Sequence, residues 1–455
     1  MLKIFNPANN TLIKELTEDN AASIAEKYAS ARTAQKLWAA TPIAERIACL
    51  KRFRALVADR MEPLAKTLTS EMGKPIRQAR NELNSLFPRI DFFCDSVGNS
   101  IKHEALMTEG DTHEWITHEP LGVIANISAW NYPYFVGGNV FVPALLTGNA
   151  VLYKPSEFAT LTGLAIGALL HQAGVPQKAF QVVVGSGAAG AALLEQPIDG
   201  VFFTGSYATG KRIAEVVAGR MVKIQLELGG KDPTYVCDDV NIEAAAASTA
   251  DGAFYNAGQS CCSVERIYVH SKIYNDFVDA FMHEVENFVV GDPIDEKTYI
   301  GPLTRAAQIN VLENQVADAK AKGASVLHGG KRIPGPGNYF SPTVLANVNH
   351  RMDVMREESF GPIIGIQKVK NDDEALMLMN DSNYGLTASV FTRNQSRAEA
   401  ILSQVNAGTA YWNCCDRVSP RLPWSGVGHS GVGLTLSHYG IQTFCRTKAW
   451  HLRAA

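Results

Sequence analysis

Cysteine is scarce in this chain of 455 residues, which contains only eight. A disulfide framework needs denser and more regularly spaced cysteines, and two of the pairs here, Cys261-Cys262 and Cys414-Cys415, are direct neighbours. We therefore expect reduced thiols and a cytoplasmic location.

An excess of charge of either sign is also missing. The 42 Lys and Arg residues nearly balance the 45 Asp and Glu residues, which leaves a formal net charge of −3. This balance argues against a nucleic-acid surface or a polybasic membrane patch, so we expect neither partner. The first residues lack the long apolar stretch of a signal peptide, and we expect no secretory leader.

Charged residues and histidine are absent between Pro120 and Tyr153, so a hydropathy scan could mistake this segment for a membrane helix. Prolines and glycines interrupt the segment throughout its length. We expect it instead to form a strand, a loop, a helix and a strand that are buried in an α/β domain.

Apolar strands alternate with helical segments through the middle of the chain, after a first hundred residues that look helical. The predicted strands are 150–153, 180–184, 200–203 and 222–228, and the predicted helices between them are 161–173, 188–195 and 210–218. This alternation is typical of a parallel sheet with helices on both faces. A second α/β series follows Gly229-Gly230, and a chain of this length is expected to form two or three domains.

One cysteine and one carboxylate are candidates for catalysis. Cys261 ends the segment Gly258–Cys261, and Glu227 lies upstream in Leu226–Lys231. An ionised thiol is a strong nucleophile, and a carboxylate can activate water. Together they could form a covalent intermediate and then hydrolyse it.

Three turns after predicted strands could bind a dinucleotide. Gly185–Gly190 matches the glycine fingerprint, but the acidic residue expected about twenty positions later is missing, so a tight strand–helix turn is an alternative. The turn in Phe203–Lys211 could hold phosphate at the start of a helix. Lys154 and Glu157 could both reach one sugar, or they could form a solvated surface pair.

A metal site is not expected. His113 and His118 are a near miss for a zinc-protease signature, with one residue too many between them. Because the segment reads as a strand, the two histidines would face opposite sides.

Seven segments carry a resemblance to a known family, and they are Ala129–Pro133, Lys154–Glu157, Phe203–Ser206, Leu226–Lys231, Gly258–Cys261, Glu357–Pro362 and Asn383–Leu386. With its segments in this order, the chain resembles the aldehyde dehydrogenase superfamily over essentially its whole length. The chain is also similar to short bacterial members of the family, including succinate-semialdehyde-type enzymes, in Gly337–Val344.

The resemblance implies an α/β fold of the aldehyde dehydrogenase type, with a Rossmann-type cofactor domain, an α/β catalytic domain and a small β oligomerisation element. The implied ranges are 1–102 and 120–228 for the NAD-binding domain, 229–433 for the catalytic domain, and 103–119 with 434–455 for the oligomerisation element. A hairpin around 103–119 would pair with a strand around 440–452. We expect a homodimer or a homotetramer, because an exposed strand can extend a partner's sheet.

The resemblance also implies a reaction, in which an aldehyde is oxidised irreversibly to the carboxylic acid through a cysteine thiohemiacetal and a thioester. Cys261 has the register of the family's nucleophile, which its neighbour Cys262 lacks. The Asn131 side-chain amide and the Cys261 backbone N–H would form the oxyanion hole. Glu227 would activate water, and Lys154 completes the predicted catalytic set.

The cofactor that the resemblance implies is NAD, and NADP stays open. The residues predicted to bind it are Ile127, Ser128, Trp130, Lys154, Ser156, Glu157, Gly187, Gly190, Phe203, Gly205, Ser206, Gly229, Glu358 and Phe360. Gly187 and Gly190 would border the adenine pocket instead of cradling the phosphates. A Glu157 carboxylate near the ribose would repel a 2′-phosphate and favour NAD, although Lys154 and Ser156 could accept a phosphate.

Two other functions stay open at this point. A CoA-acylating semialdehyde dehydrogenase would pass the acyl group from the thioester to CoA, but such enzymes do not need the water-activating Glu227. A non-catalytic structural or binding protein could reuse the fold, although Cys261, Glu227 and Asn131 are all present. Gly428 stands where the family usually has a lysine, so the role of that segment is in doubt.

The aldehyde itself is not identified by these motifs. Tyr132, Val136, Asn139 and the 411–424 loop are expected to line the substrate tunnel. Arg417 and Arg421 in that loop could recognise an acidic semialdehyde, although loop arginines are more often solvated.

Overall fold

The computed structural model describes residues 1–454, which form an N-terminal hairpin, two large sheets and one small sheet. The strands are β1 (Leu2–Asn6), β2 (Thr11–Leu16), β3 (Glu104–Glu109), β4 (Thr112–Pro120), β5 (Val123–Ile127), β6 (Ala150–Lys154), β7 (Phe180–Val182), β8 (Gly200–Thr204), β9 (Lys223–Glu227), β10 (Asp232–Val236), β11 (Val264–His270), β12 (Ser325–His328), β13 (Thr343–Ala346), β14 (Ile363–Val369), β15 (Thr387–Phe391), β16 (Thr409–Trp412), β17 (Gly431–Val432) and β18 (Cys445–Arg453).

Helices cover the two large sheets, so the chain is α/β as predicted. The helices are α1 (Ala21–Ala40), α2 (Ile43–Asp59), α3 (Met61–Met72), α4 (Ile76–Ser100), α5 (Pro133–Leu146), α6 (Thr160–Gln172), α7 (Gly187–Glu195), α8 (Tyr207–Val217), α9 (Ile242–Phe254), α10 (Tyr274–Glu286), α11 (Ala306–Ala321), α12 (Asp372–Asn380), α13 (Gln395–Leu402) and α14 (Ser437–Gln442).

The six-stranded sheet has the order β17-β9-β8-β5-β6-β7, and only β17 runs antiparallel to its neighbour. Every residue of β5, β6 and β8 is buried, because separate apolar clusters cover the two faces of the sheet. Burial on both faces explains the continuous apolar runs in the sequence. The carboxyl ends of the parallel strands meet at one edge, which is where open α/β sheets bind ligands.

The seven-stranded sheet has the order β12-β13-β14-β11-β10-β15-β16, and here only β12 is antiparallel. The largest apolar cluster of the chain packs around it. Helix α9 leads into the segment that carries Cys261, and β11 follows that segment. The sheet and the helix therefore hold both ends of the cysteine loop.

The chain begins with a hairpin, so the prediction of a wholly helical first hundred residues is wrong for its first part. β1 and β2 pair antiparallel, and Asn10 turns the chain with a φ of 57°. The N–H groups of Asn9 and Asn10 both donate to the Asn6 carbonyl. Five of the six residues of β2 are exposed, so this strand has no apolar alternation that the sequence could reveal.

The small sheet has the order β18-β4-β3 and joins the 104–120 hairpin to the last strand. Trp115 of β4 stacks on Trp450 of β18. Within residues 1–454, β3 and β18 are unpaired on their outer sides. His113 and His118, five positions apart on β4, bond to Thr108 and Glu104 respectively.

No helix in the described part of the chain is both long enough and apolar enough to cross a membrane. The segment 120–153 that resembles one in the sequence forms the end of β4, β5, α5 and β6. Among residues 1–454, no group of three or more His, Cys, Asp or Glu side chains is placed to hold a metal ion.

Candidate active site

The cysteine loop is shaped by an unusual backbone. Asn256, Ala257 and Gly258 adopt φ values of 54°, 56° and 68°, which lie in the left-handed region. At Gly258 a β-carbon would also collide with the backbone carbonyl of Gly361, so only glycine fits there. The Gln259 side chain then fixes the loop, because it donates to the Asn256 carbonyl at 3.1 Å and accepts from the Thr304 N–H at 3.0 Å.

Asn131 lies beside this loop, just before Pro133 begins α5. Its side chain is buried, and its Nδ2 donates to the Gln259 carbonyl at 3.1 Å. The carbonyl of Asn131 accepts from the Lys74 Nζ at 2.7 Å, and Lys74 also pairs with the buried Glu82. The residue predicted to be the oxyanion donor is thus held at both its amide and its backbone.

Cys261 and Glu227 line the same cavity, which has a volume of about 430 Å³. The residues expected in the substrate tunnel, Tyr132, Val136 and Asn139, also line it. The 411–424 loop contributes Asp416, Arg417, Val418 and Trp424, whereas helix α4 contributes Gln78, Asn81, Glu82, Asn84, Ser85 and Arg89, which sequence reasoning missed. The cavity is therefore enclosed by parts of the chain that are far apart in sequence.

The two neighbouring cysteines have different surroundings. Both line the cavity, but Cys261 is partly buried, whereas Cys262 is buried and its thiol donates to the Asp416 Oδ1 at 2.9 Å. The neighbouring Cys262 lowers the pKa of Cys261, but burial and the Glu227 carboxylate raise it, and the net pKa lies above the usual value. The neighbouring Cys261, burial and the Asp416 carboxylate raise the pKa of Cys262 well above its usual range. Cys261 is thus the better candidate for a thiolate.

Glu227 ends β9 and is 4% exposed. One carboxylate oxygen accepts from the indole N–H of Trp424, and the other accepts from the Thr204 hydroxyl at 3.4 Å. Burial raises the pKa of Glu227 to about 7, even though both hydrogen bonds oppose that shift. A carboxylate with such a pKa can take up and release a proton near neutral pH.

Glu358 lies against Gly229 and Gly230. Its Oε1 accepts from the Gly230 N–H at 3.1 Å, and a β-carbon on Gly229 would collide with its carboxylate. Burial and the charge of Glu265 raise the pKa of Glu358 to about 8. Trp130 and Phe360 pack edge to face, with their ring centres 5.4 Å apart.

The carboxyl ends of β5 and β6 bring a second group of predicted residues together. Ile127 pairs with Lys154, and the Ser128 N–H donates to the Lys154 carbonyl at 3.0 Å. The Lys154 side chain is buried, with its Nζ 3.1 Å from the Pro155 carbonyl and 3.9 Å from the Glu157 carboxylate. Burial lowers the pKa of Lys154.

Glycines open space next to this group. A β-carbon on Gly190 would contact the Lys154 side chain at 3.6 Å, whereas a β-carbon on Gly187 would meet nothing within 4 Å. The Ser156 hydroxyl donates to the Glu157 carboxylate at 3.2 Å. Helix α7 and the end of β6 therefore border one surface.

The turn between β8 and α8 adjoins Glu227. The Gly205 N–H donates to the Glu227 carbonyl at 3.0 Å, and the Phe203 ring occupies the space that a β-carbon on Gly205 would need. Ser206 caps α8, because its hydroxyl accepts from the Thr209 N–H at 3.4 Å. This turn connects the cavity edge with the surface near Lys154.

Known proteins share this sequence and this architecture. A family model described as "Aldehyde dehydrogenase family" matches residues 1–450. The 3,6-anhydro-alpha-L-galactose dehydrogenase of Vibrio sp. (strain EJY3) is 32% identical over 456 residues, covering 99% of this chain and 95% of the relative.

Two solved structures superpose on the chain with a TM-score of 0.97 each. One is an E. coli NADP dependent enzyme with 30% sequence identity, and the match covers 100% of this chain and 95% of the chain in that structure. The other is the NAD-dependent aldehyde dehydrogenase from Sinorhizobium meliloti with 32% sequence identity, and the match covers 99% of this chain and 91% of the chain in that structure. The predicted fold and enzyme class are confirmed, and the chain belongs to the aldehyde dehydrogenase family.

Proposed function

We propose that the enzyme oxidises its aldehyde to a carboxylic acid, with NAD(P) as the electron acceptor and Cys261 as the covalent nucleophile. The observation that carries the proposal is the shared cavity of Cys261 and Glu227, with Asn131 held beside the cysteine loop. A nucleophile, a base and an oxyanion donor thus lie within one site.

The surface at the ends of β5 and β6 fits a dinucleotide. The buried Ser128 Oγ has no partner among the described residues, and the space beside Gly187 is open. Lys154 supplies a buried cation, and Glu157 supplies a carboxylate for ribose hydroxyls. We propose that these residues and Ile127, Trp130, Ser156, Gly190, Phe203, Gly205, Ser206, Gly229, Glu358 and Phe360 hold the cofactor.

The first half-reaction begins when the Cys261 thiol loses its proton to solvent and the resulting thiolate attacks the aldehyde carbon. A carbon–sulfur bond forms, and the carbonyl oxygen becomes negative. The Asn131 amide has two N–H bonds, of which one is directed at Gln259, so the other can donate to this oxygen together with the Cys261 N–H. Bound NAD(P) supplies the acceptor for the hydride that leaves the former aldehyde carbon, and Cys261 then carries a thioester.

The second half-reaction releases the acid. Glu227 takes a proton from water, whose oxygen attacks the thioester carbon. The carbon–sulfur bond then breaks to release the carboxylic acid, and the proton held by Glu227 passes to the departing sulfur, which restores the Cys261 thiol. The indole of Trp424 and the hydroxyl of Thr204 orient the Glu227 carboxylate for this step.

The proposal is tested by following reduced nicotinamide and the acid together. Purified enzyme with a panel of aldehydes and NAD or NADP should form both products in equal amounts. Addition of CoA should not change the product. Formation of acyl-CoA in place of the acid would contradict the hydrolytic route.

Replacement of Asn131 by alanine should lower kcat by roughly 10²- to 10³-fold, because one oxyanion donor is lost. The variant loses the bond from Asn131 to the Gln259 carbonyl, but the Asn256 side chain also donates to that carbonyl, and Lys74 still bonds to the backbone carbonyl of residue 131, so the loop should keep its position. Steady-state kinetics give the loss, and cofactor affinity measured by fluorescence titration serves as the control. A loss that appears only in KM would contradict the oxyanion role.

Replacement of Glu157 by glutamine should raise kcat/KM with NADP by roughly tenfold, because a like charge near the 2′-phosphate disappears. The wild-type enzyme should prefer NAD. Glu215, an exposed glutamate on α8, gives a matched control when it is changed to glutamine. Equal NADP gains in both variants would point to a general charge effect and would refute the role of Glu157.

We also propose the division into domains that the sequence suggested. Strands β5 to β9 of the six-stranded sheet belong to the cofactor part, and the seven-stranded sheet belongs to the catalytic part, which also contributes β17 to the edge of the six-stranded sheet. The β18-β4-β3 sheet mediates a homodimer or homotetramer. The free edges of β3 and β18 support this assignment, since such edges can pair with another copy.

A further inference from the structure

Arg89 on α4 is a charged side chain in the cavity wall, although it is only 5% exposed. A guanidinium stays protonated at neutral pH even where burial lowers its pKa, as it does here to about 10. The cavity that contains Cys261 and Glu227 therefore has a buried positive charge in its wall.

The contacts of Arg89 do not neutralise this charge. Its Nη1 donates to the Ser85 carbonyl at 2.9 Å, and its Nη2 donates to the Val418 carbonyl at 3.4 Å. The guanidinium also lies over the Phe135 ring, 4.0 Å from the ring centre. Its Nε has no partner, and no carboxylate among residues 1–454 forms an ion pair with it. The charges of Glu82 and Glu227 act on Arg89 only from beyond ion-pair distance, so its guanidinium keeps the capacity to pair with an anion in the cavity.

The carboxylates that line the cavity are already engaged. Glu82 is paired with Lys74, Glu227 accepts from Trp424, and Asp251 accepts from the Tyr299 hydroxyl. Asp416 accepts from the Cys262 thiol, and burial raises its pKa to about 7. Since Glu227 has a similar pKa, two of these groups are only partly ionised near neutral pH.

We propose that Arg89 binds a carboxylate at the far end of the substrate, so that the preferred aldehyde is the semialdehyde of a dicarboxylic acid. This inference rests on the proposed function and adds a specificity-determining residue to it. Guanidinium and carboxylate match in charge and can form two parallel hydrogen bonds. The arginines that the sequence suggested for this role are less suited, because Arg417 is exposed at the cavity and Arg421 is exposed and does not line it.

The first experiment compares aldehydes on the wild-type enzyme. Malonate, succinate and glutarate semialdehydes are each measured against the neutral aldehyde of the same length and against an aminoaldehyde. The best acidic substrate should exceed its neutral counterpart in kcat/KM by at least about tenfold. A preference for the neutral or the amino compound would overturn the proposal, and this result does not depend on any variant folding.

The second experiment changes Arg89 to methionine and to lysine. Arg89→Met should lower kcat/KM for the acidic aldehyde by roughly 10- to 100-fold more than it lowers kcat/KM for the neutral aldehyde. The acidic preference of Arg89→Lys should lie between those of the wild-type enzyme and Arg89→Met, because lysine keeps the charge but cannot form two parallel hydrogen bonds with a carboxylate. The Arg89 charge stabilises the Glu227 carboxylate, so the substitution also affects that residue. This effect lowers kcat/KM for both aldehydes, and the loss measured with the neutral aldehyde therefore gives its size.

Arg417→Met is the matched comparison, because it removes an arginine from the same cavity. If Arg417→Met abolished the acidic preference and Arg89→Met kept it, the assignment to Arg89 would be wrong. Inhibition by the dicarboxylate product should weaken in Arg89→Met by a similar factor. If no aldehyde of any charge were oxidised, the proposed function would fail, and that result is distinct from loss of charge selectivity alone.

Discussion

Replacing Cys261 with alanine should abolish aldehyde oxidation, with a fall in kcat of at least about 10⁴-fold. The thiol forms the only covalent bond to the substrate in the proposed mechanism, so nothing else can carry the acyl group. Reduced nicotinamide should not appear even in the first turnover, since hydride transfer follows attack by sulfur. Stopped-flow measurement of the first turnover checks this.

The matched control for this variant is Cys262→Ala, which removes the neighbouring thiol. Cys262 also lines the cavity, but its thiol is buried and donates to Asp416, so an attack on a carbonyl would break that hydrogen bond. Cys262→Ala should therefore keep most of the activity. If Cys262→Ala lost the activity and Cys261→Ala kept it, the nucleophile would be misassigned.

Alkylation gives a second test of the same prediction. Iodoacetamide should modify Cys261 and should inactivate the enzyme in proportion. Because the pKa of Cys261 lies above its usual value, the rate should rise as the pH increases above neutrality. Peptide mass mapping identifies the modified residue, and an aldehyde substrate should protect it.

The strands of the six-stranded sheet could be predicted because burial on both faces leaves continuous apolar runs. β6 and β8 show this pattern, and every one of their residues is buried. Strand β2 could not be predicted, because almost all of its residues are exposed and show no apolar pattern. Its strand conformation depends on pairing with β1. Strands could therefore be predicted from the sequence where burial requires a continuous run of apolar residues.

In the candidate active site too, some residues could be predicted from the sequence and others could not. Cys261 and Glu227 lie in contiguous segments whose glycines are needed locally, as the collision at Gly258 illustrates. Arg89 could not be found in this way, since an arginine on a long helix reads as a solvated charge. Its importance comes from contacts with Val418 and Phe135, which only the tertiary structure brings near α4.

Replacing Glu227 with glutamine should stop the reaction after its first half. The steady-state rate should fall by roughly 10²- to 10⁴-fold, which is the usual contribution of a positioned general base. Glutamine keeps the shape of the side chain and an oxygen for the Trp424 indole. The first turnover should still release reduced nicotinamide, in an amount equal to the enzyme, and mass spectrometry should detect the acyl group on Cys261.

The pH dependence distinguishes this role from a structural one. Only the ionised Glu227 can take a proton from water, and its pKa is about 7, so wild-type kcat should rise as the pH increases through 7. The hydrogen bond from Trp424 lowers that pKa, and Trp424→Phe should therefore move the rise to higher pH. Glu227→Gln should lack the rise, and its Cys261 should react faster with iodoacetamide, since the Glu227 charge raises the pKa of that thiol. A variant with wild-type turnover and an unchanged pH profile would show that another group activates the water.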